Sequence, residues 1–200
     1  MKTIPINDRI RYIEATEDPL SADIGIVRDG DRFWLYDVGS RPEAVAELTG
    51  EYWVVLSHFH RDHTANLERV RTAALYVSEQ TREHLQRGSI LRQAQCFGDV
   101  RLFPLPSSHA EGCLGMEVGG EYAFVGDALY SRVRDGCYVF NAQVLQEEIA
   151  VLSALRAPYL LVSHFKGLIR ERAAVLRELE AIYARRNRNQ AEIQIPIGTV

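Results

Sequence analysis

Four apolar runs in this 200-residue sequence break off at histidine or aspartate. Trp53-Val54-Val55-Leu56 leads into Ser57-His58-Phe59-His60-Arg61-Asp62-His63. The stretch from Val100 to Pro106 leads through Ser107-Ser108 to His109. Tyr122-Ala123-Phe124-Val125-Gly126 stops at Asp127, and Tyr159-Leu160-Leu161-Val162 stops at Ser163-His164. Short apolar runs of this kind read as buried strands. A fold that accepts them must collect imidazoles and carboxylates at its strand ends.

Those residue types have a shared chemistry. Imidazole and carboxylate hold zinc and similar divalent ions, and a catalytic site leaves one position open for water. Residues two apart on a strand point the same way, so His58 and His60 can converge on one ion. Asp62 and His63 lie a turn further on, where the chain bends into a helix, and can serve a second ion. His109 and His164 are available to complete one ion each, and Asp127 can bridge the pair. Two ions roughly 3.5–4 Å apart clamp a shared hydroxide and polarise the bond it attacks. A single histidine at a strand end is more often a hydrogen-bonded structural residue. Four donors within the six positions from His58 to His63 are far more restrictive. His84, the sixth histidine, stands in a polar, helical stretch and reads as a solvated surface residue.

An apolar fraction of 46% over this length suits one soluble domain spanning residues 1–200. No apolar stretch approaches the roughly 18 residues of a bilayer span, and Met1 to Arg9 lacks the apolar core of a secretory signal. A cytoplasmic protein is the expectation. Cys96, Cys113 and Cys137 form no CxxC pair and read as reduced thiols. Cys113, four residues after His109, reads as packing rather than as a ligand. A net charge of −4 argues against a nucleic-acid partner held by phosphate contacts. The one basic cluster, Arg185, Arg186 and Arg188, reads as a solvated helix end.

Strands and helices alternate along the chain. Ile10 to Ala15 reads as a strand, and Asp23–Val27 with Arg32–Tyr36 as a hairpin about Asp29-Gly30-Asp31. A short helix over Pro42 to Leu48 follows, then helical spacing at Leu67 and Val70, a strand at Leu75–Val77 and the helix around His84. Val100–Pro106 and Met116–Val125 return to strand, with a turn at Gly119-Gly120. Leu145, Ile149, Leu152 and Leu155 mark one helix face; Val175, Leu179 and Ile182 mark another. The tail, with Ile193, Ile195 and Ile197, reads as a frayed end, a late strand, or a contact that pairs two copies into a homodimer.

The ordered set His58-x-His60-x-Asp62-His63, His109, Asp127 and His164, with Asp37 at an upstream strand end, closely resembles the metallo-β-lactamase superfamily, in its glyoxalase-II-like and lactonase-like members. The resemblance implies an α/β fold, the four-layer αβ/βα sandwich of two mixed sheets with helices outside. It implies His58, His60 and His109 on one ion, Asp62, His63 and His164 on the other, and Asp127 between them. Asp37 becomes the carboxylate that orients the first motif. The best-known subclass of true β-lactamases carries Cys where this chain has Asp127, which lowers the weight of a β-lactam role.

The implied activity is a metal-dependent hydrolase, dinuclear in zinc, that cleaves a small ester, thioester or lactone. Asp62 or Asp127 would shuttle a proton. Tyr130 would donate to the oxyanion, and Lys166 would meet a substrate carboxylate or phosphate. Iron or manganese also suit these ligands. A different chemistry in the same superfamily is persulfide (sulfur) dioxygenation at one iron on residues matching His58, His109 and Asp127. A small-molecule substrate is expected, with no nucleic acid and no membrane. Residues 87–98 and 131–141 would wall its pocket, with Phe97, Arg132, Arg134, Tyr138 and Phe140 among them.

Overall fold

Alternation of side chains along the strands decides the architecture. A computed structural model describes residues 2–187 and 189–198. Met1, Arg188 of the basic cluster, and Thr199 and Val200 of the tail lie outside the described residues. The chain opens with β1 (Ile4–Pro5) and β2 (Ile10–Ile13), a small hairpin of β3 (Thr16–Glu17) and β4 (Leu20–Ser21), then β5 (Ile24–Asp29) and β6 (Arg32–Tyr36). Helix α1 (Pro42–Val45) crosses to β7 (Glu51–Val55), and α2 (Arg61–Thr64) to β8 (Arg71–Val77). Helix α3 (Glu79–Leu85) precedes β9 (Ser89–Ile90). These strands form a seven-stranded sheet in the order β1-β2-β5-β6-β7-β8-β9, antiparallel as far as β6 and parallel beyond it.

The second half begins with β10 (Gln95–Phe97), β11 (Val100–Leu105), β12 (Cys113–Val118) and β13 (Tyr122–Gly126). Next come β14 (Arg132–Arg134), β15 (Cys137–Asn141), α4 (Ala142–Ser153), β16 (Tyr159–Val162), β17 (Ile169–Glu171), α5 (Arg172–Ala184) and β18 (Glu192–Pro196). A six-stranded sheet runs β10-β11-β12-β13-β16-β17, with β13 and β16 its one parallel pair, while β14-β15-β18 make a separate small sheet. Pro104 sits in β11 beyond the last β10 partner, Leu102, where its missing N–H costs no ladder bond on that side.

Period-two alternation divides the core into three layers. Trp34, Tyr36 and Val55 of the first sheet face Leu102, Met116, Phe124 and Leu161 of the second. Leu35, Val54 and Val77, one residue out of phase, point outward under α1 and α3. Ala123, Val125, Leu160 and Val162 point the other way, beneath Leu145 and Leu152 of α4 and Val175 and Leu179 of α5. Helix, sheet, sheet, helix is the four-layer αβ/βα sandwich. Gly25 lets the sheets approach, because a Cβ there would stand 2.3 Å from Phe124 Cε1. Tyr36 ties them with a buried hydrogen bond from its hydroxyl to Leu114 O, 2.6 Å.

Several sequence expectations shift. The helix predicted to Leu48 closes at Val45, and Leu67–Arg69 is one turn of 3-10 helix. Phe97 is not a pocket wall: it packs against Trp34, Trp53 and Tyr76 inside the sandwich. The tail is a late strand, β18, paired antiparallel with β15. No helix among the described residues is long and apolar enough to cross a membrane.

Glu148 breaks the apolar stripe of α4, yet it is 1% exposed and its Oε1 has no hydrogen-bond partner. Burial pushes its pKa well above the ordinary carboxylate value, so the folded chain holds it protonated where the unfolded chain ionises. Its stability contribution is therefore full below the unfolded pKa and is lost as pH rises towards the folded one. Glu148→Gln should flatten the fall in urea midpoint between pH 5 and pH 8. Any gain should be confined to the high-pH side, because the amide removes the ionisation while leaving a buried polar group without a partner.

Candidate metal centre

The parallel strands β6, β7, β13 and β16 end at one edge of the sandwich, and every implied ligand but His109 follows one of the last three. Backbone there is unusual. Asp37 after β6 and His164 after β16 have φ of 60° and 58°, the left-handed region that non-glycine residues avoid. Gly126, with φ 55°, closes β13, and a Cβ on it would lie 2.7 Å from Ser57 Cβ. Backbone bonds pin the loops together: Val38 N donates to His63 O, Ala22 N to Asp62 O, Leu114 N to Ser57 O and Ser163 N to Gly126 O.

Asp37 organises the first motif. It is fully buried, and its Oδ1 accepts from Ser57 N at 2.7 Å. Its Oδ2 accepts from Ser57 Oγ and from His63 Nδ1, each at 2.7 Å. With its own proton given to Asp37, Ser57 Oγ accepts from His58 Nδ1 at 2.9 Å. The partners thus assign a proton to Nδ1 of both rings and leave both Nε2 lone pairs for the site.

Two clusters result: His58, His60 and His109, and beside them Asp62, His63, Asp127 and His164, each with donor atoms within 4.8 Å of one another. In the first, His58 Nε2 and His109 Nε2 stand 2.8 and 3.1 Å from His60 Nδ1. In the second, Asp62 Oδ2 accepts from His164 Nε2 at 3.1 Å, and His63 Nε2 is 3.4 Å from the same oxygen. Asp127 Oδ2 faces both clusters, 3.5 Å from His109 Nε2 and 3.3 Å from His63 Nε2.

Electrostatics separates the two. Burial, with His63 and His60 nearby, pushes His58 far below the ordinary imidazole pKa, and burial also lowers His60 and His109. The first cluster is therefore three neutral rings. Burial opposes charge on His63 and His164 too, but Asp37 and Asp127 outweigh it at the former, and the Asp62 hydrogen bond at the latter, so both rise. Asp62, though burial works against ionisation, is held down to about 2 by His164 and His63. The second cluster carries carboxylates paired with shared protons that a cation would replace.

A divalent cation suits what is left unpaired. His63 Nε2 and Asp127 Oδ1 are buried with no hydrogen-bond partner, an arrangement costly without a cation to satisfy it. Among the described residues no Lys or Arg pairs with Asp62 or Asp127. Three nitrogens in one cluster and mixed nitrogen and oxygen donors in the other match zinc and its neighbours.

The remaining candidates are less central. Tyr130 stands beside the centre, its ring 6.3 Å from that of His109, but its hydroxyl donates to Ser163 O at 2.8 Å. Burial and Asp127 push its phenol up to about 12, so it stays protonated. Lys166 is exposed in the loop after His164. Cys113 is buried in the layer under α4, outside both clusters, and burial raises its thiol pKa. His84 is exposed but not merely solvated: its ring stacks on Phe59 at 4.1 Å, bracing the residue between His58 and His60.

Asp23 was invisible as a site residue. It is 6% exposed, and its Oδ2 accepts from His164 N at 3.0 Å and from Ser163 Oγ at 3.2 Å. It holds the His164 loop as Asp37 holds the first motif. The only sequence signal was an acid at the start of an apolar strand.

No family model matches the chain, and no curated protein sequence does. Solved structures do match. The chain is similar to DIM-1 metallo-beta-lactamase, with TM-score 0.70 and 14% identity over 92% of this chain and 96% of that one. It is similar to a B3 metallo-beta-lactamase with an active-site glutamic acid, with TM-score 0.66 and 15% identity over 94% of this chain and 92% of that one. A metallo-beta-lactamase from Hirschia baltica matches with TM-score 0.65 and 12% identity over 91% of this chain and 97% of that one. The fold is the metallo-β-lactamase fold.

Two substitutions separate the two carboxylate supports. Asp37→Asn should weaken metal binding by about 10–100-fold, measured by competition with a chromophoric chelator. Asp23→Asn should weaken metal binding at the Asp62, His63 and His164 cluster and leave binding at the His58 cluster unchanged in the same competition assay.

Proposed function

We propose that this protein is a metal-dependent hydrolase with two divalent ions, zinc the best match, acting on a small ester, thioester or lactone. The observation that carries the reading is Asp127: one carboxylate oxygen faces donor nitrogens of both clusters. Seven donors at one strand-end edge supply enough ligands for two ions, which favours this reading over a single iron. Likeness of fold to proteins named metallo-beta-lactamases supports it further.

His58, His60 and His109 would hold one ion; Asp62, His63 and His164 the other, with Asp127 shared. Ions so held lower the pKa of water to near neutrality and polarise a carbonyl oxygen. The protein's own part is protonic and positional. Asp127, whose carboxylate faces both clusters, would take a proton and pass it to a leaving group. Asp62 Oδ2, bonded to His164 Nε2, is the alternative relay. Tyr130 acts as a positioning residue in this scheme, since its hydroxyl is engaged in holding Ser163, the residue before His164.

The centre opens on both sides. Asp62 lines a cavity of about 680 Å³ with Arg41 and Arg61, and His109 lines another of about 640 Å³ with Tyr130. Both volumes suit a small molecule.

Purified protein should carry close to two zinc ions per chain by plasma mass spectrometry, and chelation should abolish thioester or lactone hydrolysis. Close to one iron with oxygen uptake on a persulfide would instead sink the hydrolase. Asp127→Asn should lower kcat by at least about 100-fold, in line with loss of proton transfer. Tyr130→Phe should cost much less, about tenfold or below, with metal content kept.

A further inference from the structure

The cavity on the His109 side is built unlike the one beside Asp62. Its far wall comes from elements that hold no metal ligand: the β14–β15 hairpin, the last turn of α5 and β18. The lining is chiefly apolar, with Leu129, Val133, Tyr138, Phe140, Ile182 and Ile195. Val133 is 63% exposed and Tyr138 37% exposed, although both face this cavity. Val133 is the most exposed large hydrophobic side chain among the described residues. Apolar surface left open around a cavity is covered when a ligand enters.

Two chemical features stand out in this lining. One is His109 beside the Tyr130 ring. Arg185, the residue that caps the C-terminus of α5, also lines the cavity. Its guanidinium forms no ion pair or hydrogen bond among the described residues; its backbone N–H is shared between Ile182 O and Tyr183 O. No Asp or Glu lines the cavity. A permanent, unpaired cation on an apolar wall complements an anion carried on an apolar arm.

We propose that this cavity selects an acyl arm that is apolar along its length and anionic at its end, an ω-carboxylated acyl group, with Arg185 as the specificity-determining residue. The inference rests on the hydrolase reading for what happens to the bond at the metal centre. Binding of the arm does not depend on that reading. The arm would lie on Phe140, Ile182 and Ile195, with the scissile group beside His109 and the terminal carboxylate on Arg185.

The test uses metal-loaded protein and non-hydrolysable probes: the mono-N-methylamides of hexanedioic, octanedioic and decanedioic acid, against neutral N-methyloctanamide. Calorimetry reads the affinities. One anionic probe should bind about fivefold more tightly than the neutral one, the upper end for a partly exposed ion pair, and the preference should shrink with added salt. Arg185→Gln should erase the preference and leave the neutral probe's affinity unchanged, while Arg185→Lys restores part of it. Val133→Asp should weaken every anionic probe. Equal binding of anionic and neutral probes to the parent protein would overturn the proposal. So would a preference that survives Arg185→Gln, since the carboxylate would then sit on the metal ions. Hydrolysis is assayed separately on the matching thioesters, so binding without turnover would overturn the hydrolase and leave the pocket standing.

Discussion

Everything at the centre hangs on one buried carboxylate. Asp37 accepts three hydrogen bonds with no solvent access, and through them it sets the tautomers of two imidazoles that are 0% exposed. A fully buried carboxylate is tolerated only when its lone pairs are filled, and here the filling groups are the site itself. The left-handed backbone at Asp37 is part of the arrangement, because it turns the carboxylate back over the end of β7. Such local strain persists only where surrounding structure over-determines it, and backbone bonds from Asp37 N to Val55 O and from Val38 N to His63 O do so.

Asp23 repeats the device on the other side of the sandwich edge. Each sheet thus sends a ligand loop across to a carboxylate rooted in the first sheet: Ser57 to Asp37, Ser163 to Asp23. The two aspartates differ in what they grip. Asp37 reaches His63 Nδ1 directly and His58 Nδ1 through Ser57 Oγ and so fixes their protonation, whereas Asp23 reaches backbone N–H groups and a hydroxyl and so fixes position alone.

The clustered side chains were legible in the sequence because each stands in a short segment that follows an apolar run, a local signal that needs no knowledge of the fold. Asp23 was not, because its partner Ser163 lies 140 residues away. Glu148 carried no signal either: nothing in the sequence sets it apart from the other acids of α4, and only the packing of that helix reveals its burial. His84 also gave no hint of its stack on Phe59, since the two residues lie on different elements and meet only in the folded chain. The tail's alternation at Ile193 and Ile195 was visible, but which strand it pairs with is a tertiary fact. Of residues 131–141, Ser131, Val133, Tyr138 and Phe140 line the cavity beside His109, whereas Arg132 and Arg134 turn instead to Glu111 and Glu192; Phe97 was claimed by the core because Trp34 and Trp53 offer it more apolar surface than a cleft does.

The small sheet of β14, β15 and β18 has a consequence for how such a chain can change over time. Its strands carry none of the seven donors, and β18 follows the last of them, His164, in the sequence. Exposed positions there, Val133 and Tyr138 among them, touch neither Asp37 nor Asp23, whereas Phe140, Ile193 and Ile195 share a core cluster with Val125 and Val162, and Asn141 N donates to Ser108 Oγ beside His109. Drift is thereby confined to the solvent-facing half of the cleft's outer wall, while its inner half is held to the same core as the strand ends.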